Sequence, residues 1–207
     1  MNPLANLGNI PINSSTIASL YPEIKGKNQK ISELEKAKEI IRLKRGMYVV
    51  NPTVSGKLLS TELIANQLYG PSYISLQSAL RYYGLIPETV YTMRSMTVKH
   101  TRCFENLIGR FDYIYCPHKY FSIGVTQVLK DGYSFVIATP EKALCDLIAY
   151  TPNLNLRYQK EIITYLEEDI RFDMDVFFKM RTDIFRQCAA FGKKKITLNT
   201  IINILEK

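Results

Sequence analysis

The sequence predicts an α+β protein: an N-terminal winged helix-turn-helix followed by a larger mixed α/β domain with a helical C-terminal end. Three observations lead there. A charged amphipathic helix pattern runs directly into a short basic hairpin, Ile41 to Val50. Strand-like segments with turn signals occupy the middle of the chain. Helical periodicity returns from about Arg157 to the end.

The N-terminal elements follow in order. Residues 1–13 are rich in Asn, Pro and Gly and read as extended. Asn13 or Ser14 can cap a short helix through Ile17, Ala18 and Leu20, which Pro22 and Gly26 limit. A second helix is expected from about Asn28 to Ile40. Its Ile31, Leu34, Ala37 and Ile41 share one side, and Asn28, Gln29, Ser32 and Lys36 share the other. In the hairpin, Ile41 and Leu43 alternate with Arg42 and Lys44, which predicts one apolar and one basic face. Arg45-Gly46 makes the turn, because Gly accepts positive φ. Met47 to Val50 is the return strand. A helix followed by a basic hairpin is the outline of a winged helix, in which the helix enters the major groove and the wing touches phosphate.

Asn51-Pro52 ends the hairpin and sets the expected boundary: residues 1–51 for the DNA-binding domain and 52–207 for the α/β domain. Ser60 caps a helix from Thr61 to Tyr69, stopped by Gly70-Pro71. Another helix spans Ser75 to Tyr83, with Gly84 beyond its end. Strands are expected at Thr89–Met93, Val98–Phe104, Arg110–Cys116, Ser122–Leu129 and Tyr133–Ala138. Lys130-Asp131-Gly132 joins the last two. Thr139-Pro140-Glu141 opens a helix as cap, N1 proline and first-turn acid. Leu144, Leu147 and Ile148 are its apolar stripe. Further helices are expected at Arg157–Asp169, Asp173–Met180, Ile184–Phe191 and Leu198–Leu205.

Charge narrows the partners. The 207 residues carry 27 Lys and Arg against 19 Asp and Glu, a net of +8. Residues 1–50 hold half of that excess, which favours an anionic partner near the hairpin. No stretch approaches the roughly 20 apolar residues of a membrane span. Met1-Asn2-Pro3-Leu4 lacks the basic start and apolar run of a signal peptide, so a cytoplasmic location is expected. The cysteines Cys103, Cys116, Cys145 and Cys188 are spaced as reduced thiols of a larger domain.

Chemical motifs are few. His100, Cys103, Cys116 and His118 are possible zinc ligands, but residues three apart on a strand diverge, and two buried thiols in a sheet are expected instead. Glu141, Lys142 and Asp146 read as capping and surface charge. No phosphate loop, nucleophile elbow or HExxH motif is present. The expectation is a protein that is not an enzyme and needs no cofactor or metal. Lys193-Lys194-Lys195 is either a solvated loop or a second phosphate contact.

Three segments also resemble a known family. They are Arg42-Leu43-Lys44-Arg45-Gly46-Met47-Tyr48, the run Ser72 to Pro87 (SYISLQSALRYYGLIP), and the run Ala138 to Ile148 (ATPEKALCDLI). In this order, and with the tail from Leu166-Glu167-Glu168-Asp169-Ile170-Arg171, the chain resembles the AbiEi family over nearly its whole length. That family is the antitoxin and transcriptional-regulator half of abortive-infection type IV toxin–antitoxin systems. The resemblance implies an N-terminal winged helix-turn-helix that represses its own operon and a C-terminal domain needed for antitoxicity. It implies a nucleotidyltransferase-like toxin as functional partner, opposed without a stable complex. The family often has Gly between recognition helix and wing, where this chain has Lys38-Glu39-Ile40.

The expected groove contacts are therefore Lys27, Asn28, Gln29 and Lys30 at the helix start, with Ser32 and Lys36 one turn further. Asn and Gln can read adenine edges, and Lys serves guanine or phosphate. Glu35 and Glu39 oppose close phosphate approach nearby. Arg42, Lys44 and Arg45 are the expected wing contacts, holding phosphate or entering the minor groove. The alternative is a protein-interaction module that binds a toxin directly and uses its winged helix for packing.

Overall fold

The chain begins with a 3-10 turn at Ala5–Leu7, followed by β1 (Ile12–Asn13), α1 (Ser14–Ser19), α2 (Lys27–Lys36), β2 (Ile40–Lys44) and β3 (Met47–Val50). The computed structural model describes residues 2–88 and 91–207. The three strands form an antiparallel sheet in the order β1-β3-β2. Leu4, Ile17, Ile31, Leu34, Ile40, Tyr48 and Val50 close a small apolar core between this sheet and the helices. The second helix ends at Lys36, short of the expected Ile40. Lys38 takes φ 57° and turns the chain, and Ile40 pairs with Val50 as the first residue of β2.

The hairpin departs from simple alternation. Ile41 faces Val49 and Arg42 faces Tyr48, but Lys44 faces Met47, with Leu43 bulged out of the ladder. A bulge inserts one residue and reverses the faces beyond it. The expected basic face formed by Arg42 and Lys44 is thus divided. Ile40, Tyr48 and Val50 serve the small core, whereas Leu43 and Val49 serve the larger one.

Beyond the hairpin come α3 (Pro52–Ser55), α4 (Thr61–Leu68), β4 (Ser72–Ile74), α5 (Leu76–Tyr82), β5 (Thr92–Thr97), β6 (Arg102–Asn106), β7 (Gly109–Tyr115), α6 (His118–Phe121), β8 (Val125–Lys130), β9 (Tyr133–Ala138) and α7 (Pro140–Tyr150). Among the described residues the fold is mixed α+β. A six-stranded sheet runs β6-β7-β5-β4-β9-β8. The pairs β4–β9 and β5–β7 are parallel and the others antiparallel. The caps follow the sequence: Ser60 Oγ accepts from Leu63 N at 3.1 Å, and Thr139 Oγ1 accepts from Lys142 N at 3.4 Å with Pro140 at the first turn.

Several strands are placed differently from expectation. The expected strand Thr89–Met93 begins in Thr89 and Val90, outside the described residues, and β5 runs on to Thr97. There the Thr97 hydroxyl donates to Pro71 O at 2.8 Å and accepts from Lys99 N at 3.2 Å. That knot ends the strand, so Val98 to Thr101 turn and β6 starts at Arg102 instead of Val98. Ser72–Ile74, too short for its period to register, is the central strand β4. Residues His118–Phe121 form a helical turn, and β8 begins at Val125 rather than Ser122. At Gly124 the backbone has φ +56°, and a Cβ would stand 2.8 Å from that of Lys142, so β8 meets α7 only through glycine.

The C-terminal end holds α8 (Gln159–Thr164), a π turn at Tyr165–Asp169, α9 (Met174–Phe177), α10 (Thr182–Phe191) and α11 (Lys195–Leu205). The expected helix 173–180 is only one turn, opened by Asp173 Oδ1 accepting from Val176 N at 3.1 Å. The last helix starts at Lys195, earlier than Leu198. All residues of α7 from Lys142 to Ala149 are buried, so this helix is the centre of the larger core.

Candidate nucleic-acid interface

The exposed side of α2 is built by spacing. Ile31 and Leu34 anchor the helix in the small core, which leaves Asn28, Ser32 and Lys36, at intervals of four, on its solvent side. Ser32 Oγ donates back to Asn28 O at 3.1 Å, and Gln29 Nε2 donates to Glu33 Oε1 at 3.3 Å. Lys30 lies 3.8 Å from Glu33 and 5.2 Å from the centroid of the Tyr21 ring. Lys27 is committed elsewhere. Its ammonium donates to Ala18 O at 3.0 Å and Tyr21 O at 2.7 Å, tying the end of α1 to the start of α2. Cations at a helix C-terminus satisfy its open carbonyls.

The hairpin residues part company. Arg42 Nη2 is 2.5 Å from Glu35 Oε2, and the guanidinium lies over the Tyr48 ring. The Glu35 carboxylate raises the pKa of Arg42, chiefly through this hydrogen bond. Arg45, at the exposed turn, stands on the same end of the unit as α1, because Ser14 N donates to Gly46 O at 3.0 Å. Lys44 points the other way, toward the large sheet. It donates to Leu68 O at 2.5 Å and lies 5.8 Å from the Phe104 ring. Asn28, Gln29, Lys30, Ser32, Lys36, Arg42 and Arg45 thus belong to the α2–hairpin unit's outer surface. Lys27 and Lys44 make internal ties.

Lys44 joins cations that the sequence reading did not single out. Arg102 lies 4.9 Å from the Phe104 ring and 5.9 Å from that of Tyr69. Lys99 lies 5.3 Å from the Tyr69 ring and donates to Gly70 O at 2.5 Å. The Lys44 pKa is lowered, first by burial and then by repulsion from Lys99 and Arg102. Lys99 and Arg102 flank one turn, but Lys44 is 55 residues from Lys99, so no local pattern announces the cluster.

A second polar group is enclosed by the larger core. Lys142 Nζ stands 3.0 Å from Asp146 Oδ1 and donates to Tyr120 O at 3.1 Å. Asp146 Oδ2 accepts from Ser75 Oγ at 2.6 Å and from Tyr73 OH at 3.0 Å. All five side chains are 0% exposed, so no substrate atom reaches them. Of the residues expected as capping and surface charge, Glu141 stays partly exposed in the first turn of α7, but Lys142 and Asp146 are buried. The run Ala143-Leu144-Cys145, then Leu147-Ile148-Ala149, is apolar around most of the helix, and that is the signal of a buried helix whose charges must pair.

The thiols also divide. Cys116, Cys145 and Cys188 are buried but Cys103 is exposed, which corrects the expected pair of buried sheet thiols. Cys103 sits on the opposite face of β6 from Arg102, across from Asp112. In the Lys193–Lys195 run, Lys194 Nζ donates to Thr151 O at 2.8 Å and Lys193 lies 4.9 Å from the Tyr150 ring. No helix among the described residues is long and apolar enough to cross a membrane. No protein-family model and no curated protein matches the chain.

Proposed function

We propose that the chain is a sequence-specific DNA-binding regulator with an N-terminal winged helix-turn-helix, serving as the antitoxin of a type IV toxin–antitoxin system. In this reading it represses its own operon and opposes a nucleotidyltransferase-like toxin. The supporting observation is the order β1–α1–α2–β2–β3 with sheet order β1-β3-β2, in which the Asn28, Ser32 and Lys36 stripe of α2 and Arg45 at the hairpin turn are all exposed. In a winged helix, α1 and α2 would be the helix pair, α2 the recognition helix and β2–β3 the wing. A single 3-10 turn stands where that fold has its first helix. Asn28 and Gln29 are suited to adenine edges, with Lys30 and Lys36 suited to guanine or phosphate. Arg42 and Arg45 supply the wing's phosphate contacts. The antitoxin role rests on the sequence resemblance.

A mobility-shift titration of the purified protein on its own upstream DNA, against scrambled DNA at two salt concentrations, tests the reading. Tighter binding to the upstream fragment that survives raised salt is the expected result. Equal and salt-sensitive binding to both would leave only charge attraction. One observation favours the interaction-module alternative: Leu43 and Val49 commit one hairpin face to the larger core, a packing role. Recovery of a stable complex with the neighbouring gene product, without operator binding, would support it.

A further inference from the structure

We propose that the β6–β7 edge of the large sheet is a second nucleic-acid site that takes a single strand, with phosphate on Arg102, Lys99 and Lys44 and a base on Tyr115. The inference stands on geometry separate from the α2–hairpin surface. Arg102 and Phe104 of β6 share one sheet face with Tyr113 and Tyr115 of β7, because Arg102 pairs with Tyr113 and alternate residues face alike. The acidic residues of these strands, Glu105 and Asp112, lie on the opposite face with Cys103 and Arg110. Helix α4 covers the inner part of the face, where Tyr113 OH donates to Ala65 O at 2.6 Å. Beyond the end of α4 the face is open.

Three cations gather at that opening. Among the described residues none of them forms a salt bridge, and Arg102 donates no hydrogen bond. Lys44 and Lys99 each use a carbonyl at the end of α4, Leu68 O and Gly70 O, which holds the ammonium groups in place and leaves further N–H donors on each. Mutual repulsion among the three is relieved by an anion, and a guanidinium beside two ammonium groups is the donor set for a phosphate. Burial lowers the Lys44 pKa first, and repulsion from Lys99 and Arg102 lowers it further.

Next to the cations is an open cavity of about 520 Å³, lined by Tyr69, Val98, Lys99, His100 and Tyr115. The Tyr69 ring is occupied, with cations near it and Phe104 and Tyr113 against it. Tyr115 is 48% exposed and has an unoccupied ring. A positive groove beside an exposed aromatic ring is the combination that holds unpaired bases, since stacking needs a base removed from its duplex.

Fluorescence anisotropy of the full chain tests this, with a labelled oligouridine of about ten nucleotides, a duplex of the same length, and uridine monophosphate as competitor. The variants are Arg102→Glu and Tyr115→Ala, chosen because neither side chain makes a described core bond, with Arg45→Ala as the control for the α2–hairpin surface. Circular dichroism verifies that each folds. The expected result is single-strand binding weakened about tenfold or more by Arg102→Glu, about fivefold or more by Tyr115→Ala, and unchanged by Arg45→Ala. Absent single-strand binding, or binding indifferent to Arg102→Glu and Tyr115→Ala, overturns the proposal. So does full displacement by uridine monophosphate at matched phosphate concentration, which would make the site one for free nucleotide. Duplex binding that falls with Arg45→Ala and not with Arg102→Glu reads the α2–hairpin surface, so the two functional readings fail separately.

Discussion

Arg42 and Lys44, two residues apart on β2, point to opposite sides of the hairpin: Arg42 to Glu35 and Tyr48, Lys44 to Leu68 O and Phe104. The Leu43 bulge is the cause. It separates cations that alternation places on one face, and it makes their contributions to binding separable by experiment.

Duplex binding should accordingly depend on Arg45 and Arg42 but not on Lys44. Each phosphate contact adds about 0.9 to the slope of log affinity against log salt. Arg45→Ala is expected to lower that slope by about one and weaken operator and scrambled DNA alike. Arg42→Ala should have a smaller effect, because its guanidinium is already engaged by Glu35. Lys44→Ala should leave the duplex slope unchanged. A slope that falls with Lys44→Ala and not with Arg45→Ala would reverse the assignment of the wing surface.

Specificity should reside on α2. Replacing Asn28 or Gln29 by Ala removes a bidentate donor–acceptor pair suited to adenine, a loss of about 1–3 kcal/mol of discrimination. The expected outcome is a narrower gap between operator and scrambled DNA, with scrambled binding little altered. Competition mobility shifts measure that gap. Equal weakening on both sequences would mean that these side chains contact only backbone.

The features readable in the sequence were those written in local pattern. Ser60, Thr139-Pro140 and the Gly46 turn announce element ends through their own neighbours, and those ends are where the pattern puts them. What could not be read needed a partner distant in the chain. The bulge at Leu43 turns Lys44 to the side of Ile41 and Leu43, toward Leu68 O, and nothing in the local alternation marks it. The strand Ser72–Ile74 is defined by β5 and β9 on either side. The Lys44, Lys99 and Arg102 cluster assembles from residues 55 or more positions apart in the case of Lys44. Lys142 and Asp146 are buried for a different reason: the apolar residues around them leave that part of α7 no solvent face, so their charges pair inside the core.

The Lys142–Asp146 pair makes a strong stability prediction. Asp146→Ala leaves a buried ammonium without its carboxylate and takes the acceptor from Ser75 and Tyr73. Breaking one side of a buried pair costs about 3–5 kcal/mol. The double variant Lys142→Met with Asp146→Leu removes both charges and should cost less than the sum of the two single changes, though the Ser75 and Tyr73 hydroxyls remain unpaired. Urea denaturation of the three variants gives the coupling directly. Additive losses would mean that the two side chains do not act as a unit.

Thiol labelling should resolve one cysteine from three. Cys103 is exposed, and hydrogen bonding to Asp112 raises its pKa, so it is accessible but slow. Burial pushes the Cys116 thiol up to about 12. At neutral pH a maleimide is expected to modify Cys103 alone in the native protein and all four thiols in denaturant. A Cys103→Ser variant should then be inert when folded; native labelling of that variant at an appreciable rate would contradict the burial of Cys116, Cys145 and Cys188.

Alkaline pH should weaken the fold, and the sign follows from which state holds its protons. Burial raises Tyr83 and Tyr165 from 10.0 to about 12, and Cys116 from 9.0 to about 12. Between the unfolded and folded values the native chain binds more protons than the unfolded chain, so stability falls as pH rises. The contribution is fully present below pH 9, begins to be lost as unfolded Cys116 ionises, and declines further once the two tyrosines would ionise above pH 10. It is gone above about 12. Urea midpoints are therefore expected to hold steady from pH 7 to 8.5 and drop between pH 9.5 and 11. Tyrosinate absorbance near 295 nm should rise with the loss of structure and not ahead of it for the buried rings. A midpoint that stays level through pH 11 would show that these three groups are not held protonated by the folded chain.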